Sequence, residues 1–430
     1  MLFPARRLLT AATLLAGLLG GAASAAAAAA APGATADVER GRYLARIANC
    51  VACHTSESGK PFAGGLPIRS AAGTLYSTNI TPDATGIGGY TLAEFDRAVR
   101  QGVARDGRRL YPAMPYPSYA RMRAEDVAAL YAYMRAGVAP VSQRNRDAEM
   151  RWPYSMRPLL VVWNALYLSG SPVRTDAAKG AEWNRGAYLV QGVAHCGACH
   201  TPRGWLYAEK GLDERSKRFL SGTSVEGWSA TNLTGDQVTG LGAWSRAEIA
   251  EFLRTGRNAH ATSFGPMSTV IATATQYMAP ADLDAVAVYL KSLSGARGET
   301  EPFRHDPSTA PRLLQGRFDS PGARQYSQFC MPCHGADGKG FARVFPPLAG
   351  NPTVADPDPA SLVNLLLNGA VTARVDTAPT DYHMPGYGWT LDNQELANVL
   401  TFIRGSWGNR AAPVGEAAVA ARRRELEAAR

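Results

Sequence analysis

The sequence is poor in cysteine, histidine and lysine, and its body contains no long hydrophobic run. Only six of the 430 residues are cysteine, seven are histidine and six are lysine. So few cysteines exclude a disulfide-dense scaffold. Beyond residue 31, no apolar run reaches the ~18 residues that a membrane-spanning helix needs. The nearest candidate, residues 159–168, is too short and contains Asn164. We therefore expect no spanning helix in the body of the chain.

All six cysteines belong to one motif that occurs three times. In each copy two residues separate the cysteines and a histidine follows. The copies are Cys50, Cys53 and His54; Cys196, Cys199 and His200; and Cys330, Cys333 and His334. This spacing is the attachment signature of c-type haem. The two thiols form thioethers to the haem vinyl groups, and the histidine ligates the iron. The motifs predict three covalently bound haem c groups, with electron transfer as the basic function.

Paired cysteines also occur in zinc half-sites and in redox dithiols. A zinc site would need the pairs to combine, but there are three pairs and no further cysteine. A dithiol oxidoreductase has no need of a histidine after each second cysteine. Both alternatives are therefore disfavoured.

The N-terminus has the three parts of a secretory signal peptide. A short basic region with Arg6 and Arg7 precedes an apolar stretch and then small residues. We expect a signal peptide over residues 1–25, with the cut as late as residue 31. Export suits haem c, which is attached outside the cytoplasm. The net charge of +9 indicates either an ordinary basic surface or attraction to acidic partners or anionic lipid. Nucleic acid is not expected as a partner.

Internal repetition predicts an all-α fold of three tandem class I cytochrome c domains, each wrapped around a covalently bound haem. We place the domains at residues 38–140, 181–295 and 322–408. Between them lie an apolar linker, 141–180, and a more polar one, 296–321; a charged tail, 409–430, follows. We interpret the apolar linker as packing across a domain interface, or else as contacting a partner subunit or the membrane surface. The tail is expected to be a solvated helix, with membrane-surface binding as the alternative.

Matching segments recur within the repeats. A Gly and an aromatic residue precede each haem motif, as in Gly41 and Tyr43, and we interpret this pair as a helix-packing spot. Residues 77–81 recur as 230–234. Helices 92–100 and 246–254 follow, with capping boxes at their N-termini. The third repeat has its counterpart at 360–367. Each repeat should end in an amphipathic helix, at 124–135, 280–293 and 392–403.

A low-spin electron-transfer haem usually needs a second axial ligand, commonly methionine. A loop before the last helix of each repeat offers Met114, Met267 and Met384, each next to a proline. His383 is a rival to Met384. Met122, Met134 and Met278 are predicted to be core residues. His195, His260 and His305 are interpreted as structural or surface residues.

The order of the motifs resembles the three-haem cytochrome c subunits of membrane-bound periplasmic dehydrogenases. The resemblance extends to residues 77–83, 111–116, 151–153 and 227–234, and covers about residues 38–408. The family includes subunits of quinone-dependent alcohol dehydrogenase and of flavin-dependent gluconate, sorbitol and fructose dehydrogenases.

This resemblance implies a separate catalytic subunit, carrying flavin or pyrroloquinoline quinone, that oxidises an alcohol, sugar or sugar acid. Electrons would pass along the three haems to ubiquinone or another respiratory acceptor, at the outer face of the bacterial cytoplasmic membrane. The implied iron ligands are His54, Met114, His200, Met267, His334 and Met384. The resemblance gives this chain no catalytic residue of its own.

Three other functions stay open. The chain could be the cytochrome partner of a molybdenum hydroxylase, or a free-standing periplasmic electron carrier. An enzyme with its own catalytic haem would need an open iron position, and three methionine ligands would leave none. The sequence does not identify the substrate of a partner dehydrogenase.

Overall fold

The structure, a computed structural model, describes residues 32–225, 227–378 and 380–428. The predicted signal peptide lies outside these residues. None of the helices within them combines the length and the apolar composition needed to cross a bilayer.

The first repeat is a set of helices with a small hairpin after the haem motif. Its elements are α1 (Pro32–Ile47), α2 (Cys50–Cys53), β1 (Pro67–Ser70), β2 (Gly73–Tyr76), α3 (Leu92–Gln101), α4 (Tyr116–Tyr119) and α5 (Ala124–Ala136). The first linker then contributes β3 (Glu149–Met150) and α6 (Leu159–Tyr167).

The second repeat follows the same order. Its elements are α7 (Ala181–Tyr188), a π-helical turn (Leu189–Val193), α8 (Gly197–His200), β4 (Thr223–Val225), β5 (Trp228–Ala230), α9 (Arg246–Thr255), α10 (Gly265–Thr273), a 3₁₀ turn (Thr275–Tyr277) and α11 (Pro280–Lys291). The second linker contains α12 (Thr309–Leu314).

The third repeat and the tail complete the described chain. Their elements are α13 (Ala323–Gln325), a π-helical turn (Tyr326–Cys330), α14 (Met331–His334), α15 (Pro352–Ala355), α16 (Ala360–Asn368), β6 (Ala370–Val371), β7 (His383–Met384), α17 (Asn393–Gly405) and α18 (Glu416–Ala428).

The structure is mostly helical, but it is not purely so. The antiparallel sheets are β1–β2–β3, β4–β5 and β6–β7. β1–β2 and β4–β5 form where the chain doubles back after a haem motif, and β3 is added from the linker. In the third repeat β6 and β7 flank the long loop that follows α16. The all-α prediction missed these short strands, since segments of two to four residues carry too little periodicity.

The predicted capping boxes are confirmed. Thr91 accepts a hydrogen bond from the backbone N–H of Glu94, whose carboxylate binds the Thr91 N–H in return. Ser245 and Glu248 do the same at the start of α9. The same capping arrangement therefore starts α3 and α9.

Gly41 and Gly186 confirm the helix-packing interpretation. A Cβ on Gly41 would overlap the carbonyl oxygen of Ala129 in α5 and lie 2.7 Å from the Cβ of Tyr133. A Cβ on Gly186 would overlap the carbonyl of Ala285 in α11. In both repeats, therefore, the glycine lets the first helix touch the backbone of the last.

We expect Gly41→Ala to destabilise the haem-loaded protein by about 1–3 kcal/mol, because α1 and α5 must separate to admit the methyl group. Chemical denaturation followed by haem absorbance measures this. Gly170→Ala is the control, since nothing lies within 4 Å of the added Cβ. Equal stability of the two variants would contradict the close helix contact.

The first two repeats share one hydrophobic core, whereas the third has its own. The shared core includes Leu44 and Met134 from one repeat and Leu189 and Val286 from the other. The third core is centred on α17 and also contains Trp407.

One tyrosine from each of the first two repeats makes a hydrogen bond to the other repeat. Tyr43 donates to Asp282 at 2.6 Å, and Tyr188 donates to Asp126. Each aspartate lies in the first turn of the last helix of its repeat and also pairs with an arginine of the same repeat. The first two repeats therefore form one pseudo-symmetric unit.

The apolar linker packs between these two repeats. Asn164 of α6 donates to the Gln101 carbonyl at 3.1 Å and accepts from Tyr116 at 2.7 Å, both in the first repeat. Trp163 donates to the Leu206 carbonyl of the second repeat at 2.9 Å. Asn164, which weakened the case for a membrane segment, is thus a buried anchor.

The tail does not extend into solvent as expected. Val419 is fully buried, and Arg422 donates to Asn364 at 2.6 Å. Arg423 donates to Asn393 at 2.8 Å and to the Leu391 carbonyl at 3.1 Å. Two of the three consecutive arginines therefore bind the third repeat, through the Asn364 side chain of α16 and groups at the start of α17.

Candidate haem-binding sites

Each cysteine pair lies on a single helical turn. Because residues three apart share a helix face, the two sulfurs of a pair lie on the same side. In each repeat the first cysteine is more shielded than the second: Cys50 and Cys196 are half-buried where Cys53 and Cys199 are exposed, and Cys330 is buried where Cys333 is half-buried. Such a pair presents two sulfurs along one edge of a site.

Burial raises the pKa of the Cys50, Cys196 and Cys330 thiols to about 12, and the neighbouring cysteine adds to the effect in each case. A redox dithiol needs the opposite, a lowered pKa that yields thiolate at neutral pH. The environment of these thiols therefore disfavours the dithiol alternative.

Each motif histidine is held by a backbone carbonyl. The Nδ1 atoms of His54 and His200 lie 2.7 Å from the carbonyl oxygens of Thr78 and Thr231. The Nδ1 of His334 lies 3.0 Å from the Pro346 carbonyl. Since a carbonyl can only accept, each Nδ1 carries the proton and the Nε2 lone pair is left to bind a metal.

Burial lowers the pKa of these three histidines, and the carbonyl contacts oppose that shift only in part. The neutral imidazole, which is the metal-binding form, is therefore favoured.

The carbonyl contacts explain the recurrence of residues 77–81 as 230–234, which sequence reasoning noted without assigning a role. Asn79 accepts from the backbone N–H and hydroxyl of Thr81, at 2.9 and 2.8 Å. Asn232 does the same with Thr234, at 2.9 and 2.7 Å. Each asparagine fixes the turn whose preceding carbonyl orients the histidine. The third repeat uses a proline-rich segment at this position.

The predicted methionine ligands lie in three different kinds of local structure. Met114 is in a turn and packs against the shared core, as Cys50 does. Met384 packs against the core of the third repeat, which contains Cys330. Met267 is not in a loop as expected but in the first turn of α10, in a cluster with Ile271 and Val375. Pro266 stands at the second helical position, where proline starts a helix rather than breaking it.

His383, the rival to Met384, has a side chain that is 67% exposed and lies 3.9 Å from Asp381. Met122, Met134 and Met278 are buried, as predicted for core residues.

His195 is structural, since its Nε2 lies 3.2 Å from the Ala48 carbonyl of the first repeat. His260 stacks on Trp244 at a centroid distance of 5.2 Å. His305 contacts the Asp337 carbonyl at 2.9 Å.

A cleft of about 690 Å³ lies at the junction of the second and third repeats. Its walls include residues of α10 on one side and the hairpin of β6 and β7, with Met384, on the other. Ser268 donates to the Val371 carbonyl across the junction, at 3.3 Å. The distal segments of the two repeats therefore face each other.

The residues present fit haem c. Paired thiols and an adjacent histidine with an oriented Nε2 recur in all three repeats. In the first and third repeats the predicted methionine packs on the same core as the first cysteine. In addition, the buried guanidinium of Arg257 has an Nη2 atom with no partner among the described residues. A buried cation of this kind suits a carboxylate, such as a haem propionate.

The sequence profile of the cytochrome c family matches residues 38–137 and 320–407, within the first and third repeats. The alcohol dehydrogenase (quinone) cytochrome c subunit of Gluconacetobacter polyoxogenes is 50% identical over 88% of this chain and 82% of the relative. The gluconate 2-dehydrogenase cytochrome c subunit of Pantoea cypripedii is 47% identical over 86% of each chain. The fructose dehydrogenase cytochrome subunit of Gluconobacter japonicus is 38% identical over 89% of this chain and 82% of the relative.

Helical repeats with covalent haem motifs define a c-type cytochrome. The chain belongs to the cytochrome c family, in the group of cytochrome c subunits that contains these three relatives. Covalently bound haem c is accordingly its cofactor, and electron transfer its role.

Proposed function

We propose that the chain is the electron-transfer subunit of a periplasmic dehydrogenase complex. It receives electrons from a catalytic subunit that oxidises an alcohol, sugar or sugar acid and carries flavin or pyrroloquinoline quinone. It delivers them through three haem c groups to ubiquinone at the outer face of the cytoplasmic membrane. The observation that carries the proposal is the recurrence of one site in three repeats, in a chain up to 50% identical to subunits of such enzymes.

Haem c supplies a reversible one-electron site at its iron when it is bound. The protein's part is to hold three such sites in fixed places. The cysteines would anchor each group, and the histidines oriented by the carbonyls of Thr78, Thr231 and Pro346 would bind its iron. Met114, Met267 and Met384 are assigned as the second ligands.

Rigid connections between the repeats support a relay. The first two repeats share a core and the reciprocal tyrosine bonds. Two hydrogen bonds join the second and third repeats. The Ser229 N–H donates to the Ser361 hydroxyl at 2.9 Å, and Asn364 donates to the Gly227 carbonyl at 2.8 Å. These contacts hold the three repeats in fixed relative positions, as a relay without domain motion would require.

The test is to extract the native protein with mild detergent and to identify what copurifies. We expect a flavin or pyrroloquinoline quinone subunit, and haem reduction on adding the substrate of that subunit. A molybdenum cofactor in the copurifying subunit would support the hydroxylase alternative instead. Recovery of a lone chain from the soluble fraction would overturn the proposal in favour of a free carrier.

A further inference from the structure

The large apolar side chains that the described residues expose are concentrated in one region. Nine of fourteen lie either in residues 152–166 or at Trp205 and Tyr207. The nine are Trp152, Tyr154, Met156, Leu159, Val161, Val162, Leu166, Trp205 and Tyr207. We call them the aromatic face. The other five are scattered along the chain, as is ordinary for soluble domains.

Contacts join the two parts of the aromatic face. The rings of Tyr154 and Tyr207 meet edge to face with centroids 6.0 Å apart. Trp163, on the inner side of α6, donates to the carbonyl of Leu206. Residues from the linker and from the second repeat therefore form a single surface. Contiguous exposed apolar surface of this kind marks an interaction site.

Helix α6 is apolar on both sides. Its inner residues Trp163 and Asn164 are buried between the first two repeats, while Val162 and Leu166 are 58% and 65% exposed. A helix that is apolar all round normally has both sides covered. The inner side of α6 is buried against protein. Its outer side is equally apolar but is not buried by any described residue.

The chemistry of the aromatic face fits a lipid surface. Between residues 151 and 173 the charged residues are Arg151 and Arg157, and no carboxylate occurs. Tryptophan and tyrosine beside aliphatic residues and arginine are typical of segments at the boundary of headgroups and hydrocarbon. Arg151 is exposed and can attract anionic lipid, whereas Arg157 is half-buried and donates to the Arg109 carbonyl at 2.7 Å.

We infer that the aromatic face binds the chain peripherally to an anionic bilayer, with α6 lying in the membrane plane. The nine residues of α6 are too few to span the hydrocarbon core. The inference rests on the proposed function, which requires contact with a membrane acceptor. The same helix packs on its inner side in a cluster with Tyr116 and Met114, so the distal segment of the first repeat lies behind the membrane-facing surface.

The experiment is flotation of the haem-loaded protein with vesicles of phosphatidylethanolamine and phosphatidylglycerol. The variants are Val162→Ser with Leu166→Ser, and Trp152→Ala with Trp205→Ala. The matched controls are Leu314→Ser and Trp389→Ala, whose side chains are also exposed, at 73% and 87%. We expect each variant pair to lower vesicle binding about tenfold or more and the controls to leave it unchanged.

Equal flotation of variants and controls would overturn the inference. So would retained vesicle binding together with loss of the copurifying catalytic subunit, since the aromatic face would then be a subunit contact. Substrate-dependent haem reduction in detergent is measured on the same proteins. Its persistence in the variants separates a failure of the membrane inference from a failure of the proposed function.

Discussion

Replacing Met114 by leucine should leave the haem covalently attached to the first repeat but lower its reduction potential. Leucine has nearly the same volume and lacks the thioether, so the iron loses a ligand while packing is preserved. Axial ligands span a range of about 0.8 V in haem proteins. We expect a fall on the order of 0.1 V or more in one of the titrating haems, and cyanide binding to that haem.

The matched control is Met134→Leu in the same repeat. Met134 is 2% exposed and lies in the core, so this change should cost less than about 1.5 kcal/mol of stability and leave every potential unchanged. Redox titration with absorbance detection distinguishes the two variants. If Met114→Leu titrates like the wild type and binds no cyanide, Met114 is not the ligand.

The second large effect concerns the junction of the first two repeats. Asp282 accepts from Arg185 at 2.8 and 2.7 Å and from Tyr43 at 2.6 Å. Removing one partner of a buried ion pair costs about 3–5 kcal/mol. Since solvent reaches Arg185, we expect Asp282→Asn to cost about 2–3 kcal/mol. The exposed Asp284 on the same helix is the control, and Asp284→Asn should change stability by less than about 0.5 kcal/mol.

The effect of Asp282 depends on pH. Burial would raise the pKa of its carboxyl, but hydrogen bonds from Arg185 and Tyr43 outweigh burial and hold this pKa below its ordinary value. A lowered folded-state pKa contributes stability above the unfolded-state pKa, about 3.9, and that contribution is lost as pH falls through the folded value. The gap between Asp282→Asn and the wild type should therefore close in acid.

Tyr43 sets the alkaline limit of the pH range in which this contact stabilises the fold. Burial, with a further effect of the hydrogen bond to Asp282, raises its pKa to about 12. A raised folded-state pKa contributes stability that is present below pH 10 and is lost between about pH 10 and 12. Denaturation at neutral, acid and alkaline pH measures both limits. A stability gap independent of pH would contradict the contacts assigned to Asp282 and Tyr43.

Local rules predicted the helical elements and much of their packing. Thr91 and Ser245 combine a cap with a glutamate three residues on, which is a complete signal within four residues. Gly41 and Gly186 were correctly read as packing positions because a glycine inside a helix needs a steric reason. The cysteines and histidines of the candidate sites follow from the motif alone.

Contacts between distant residues were not predictable. The tyrosines after Gly41 and Gly186 were interpreted as local packing residues, but they reach aspartates more than 60 positions away. Thr78 and Thr231 orient the motif histidines through their backbone carbonyls, and the side-chain type of a residue does not indicate such a contact. Met267 was assigned to a loop because a ligand was expected between the middle and last helices of the repeat. Pro266 was interpreted as stiffening that loop, although proline is also favoured in the first turn of a helix. The tail was expected in solvent because its charged sequence does not indicate which residues its arginines contact.

The central claim is that the chain holds three low-spin haems with both axial positions filled. It is tested most directly by counting haems per chain and determining the spin state of the iron in the oxidised purified protein. We expect three haems, all low-spin, with the charge-transfer absorption of methionine ligation. Fewer than three haems, or a high-spin iron in the native protein, would contradict it.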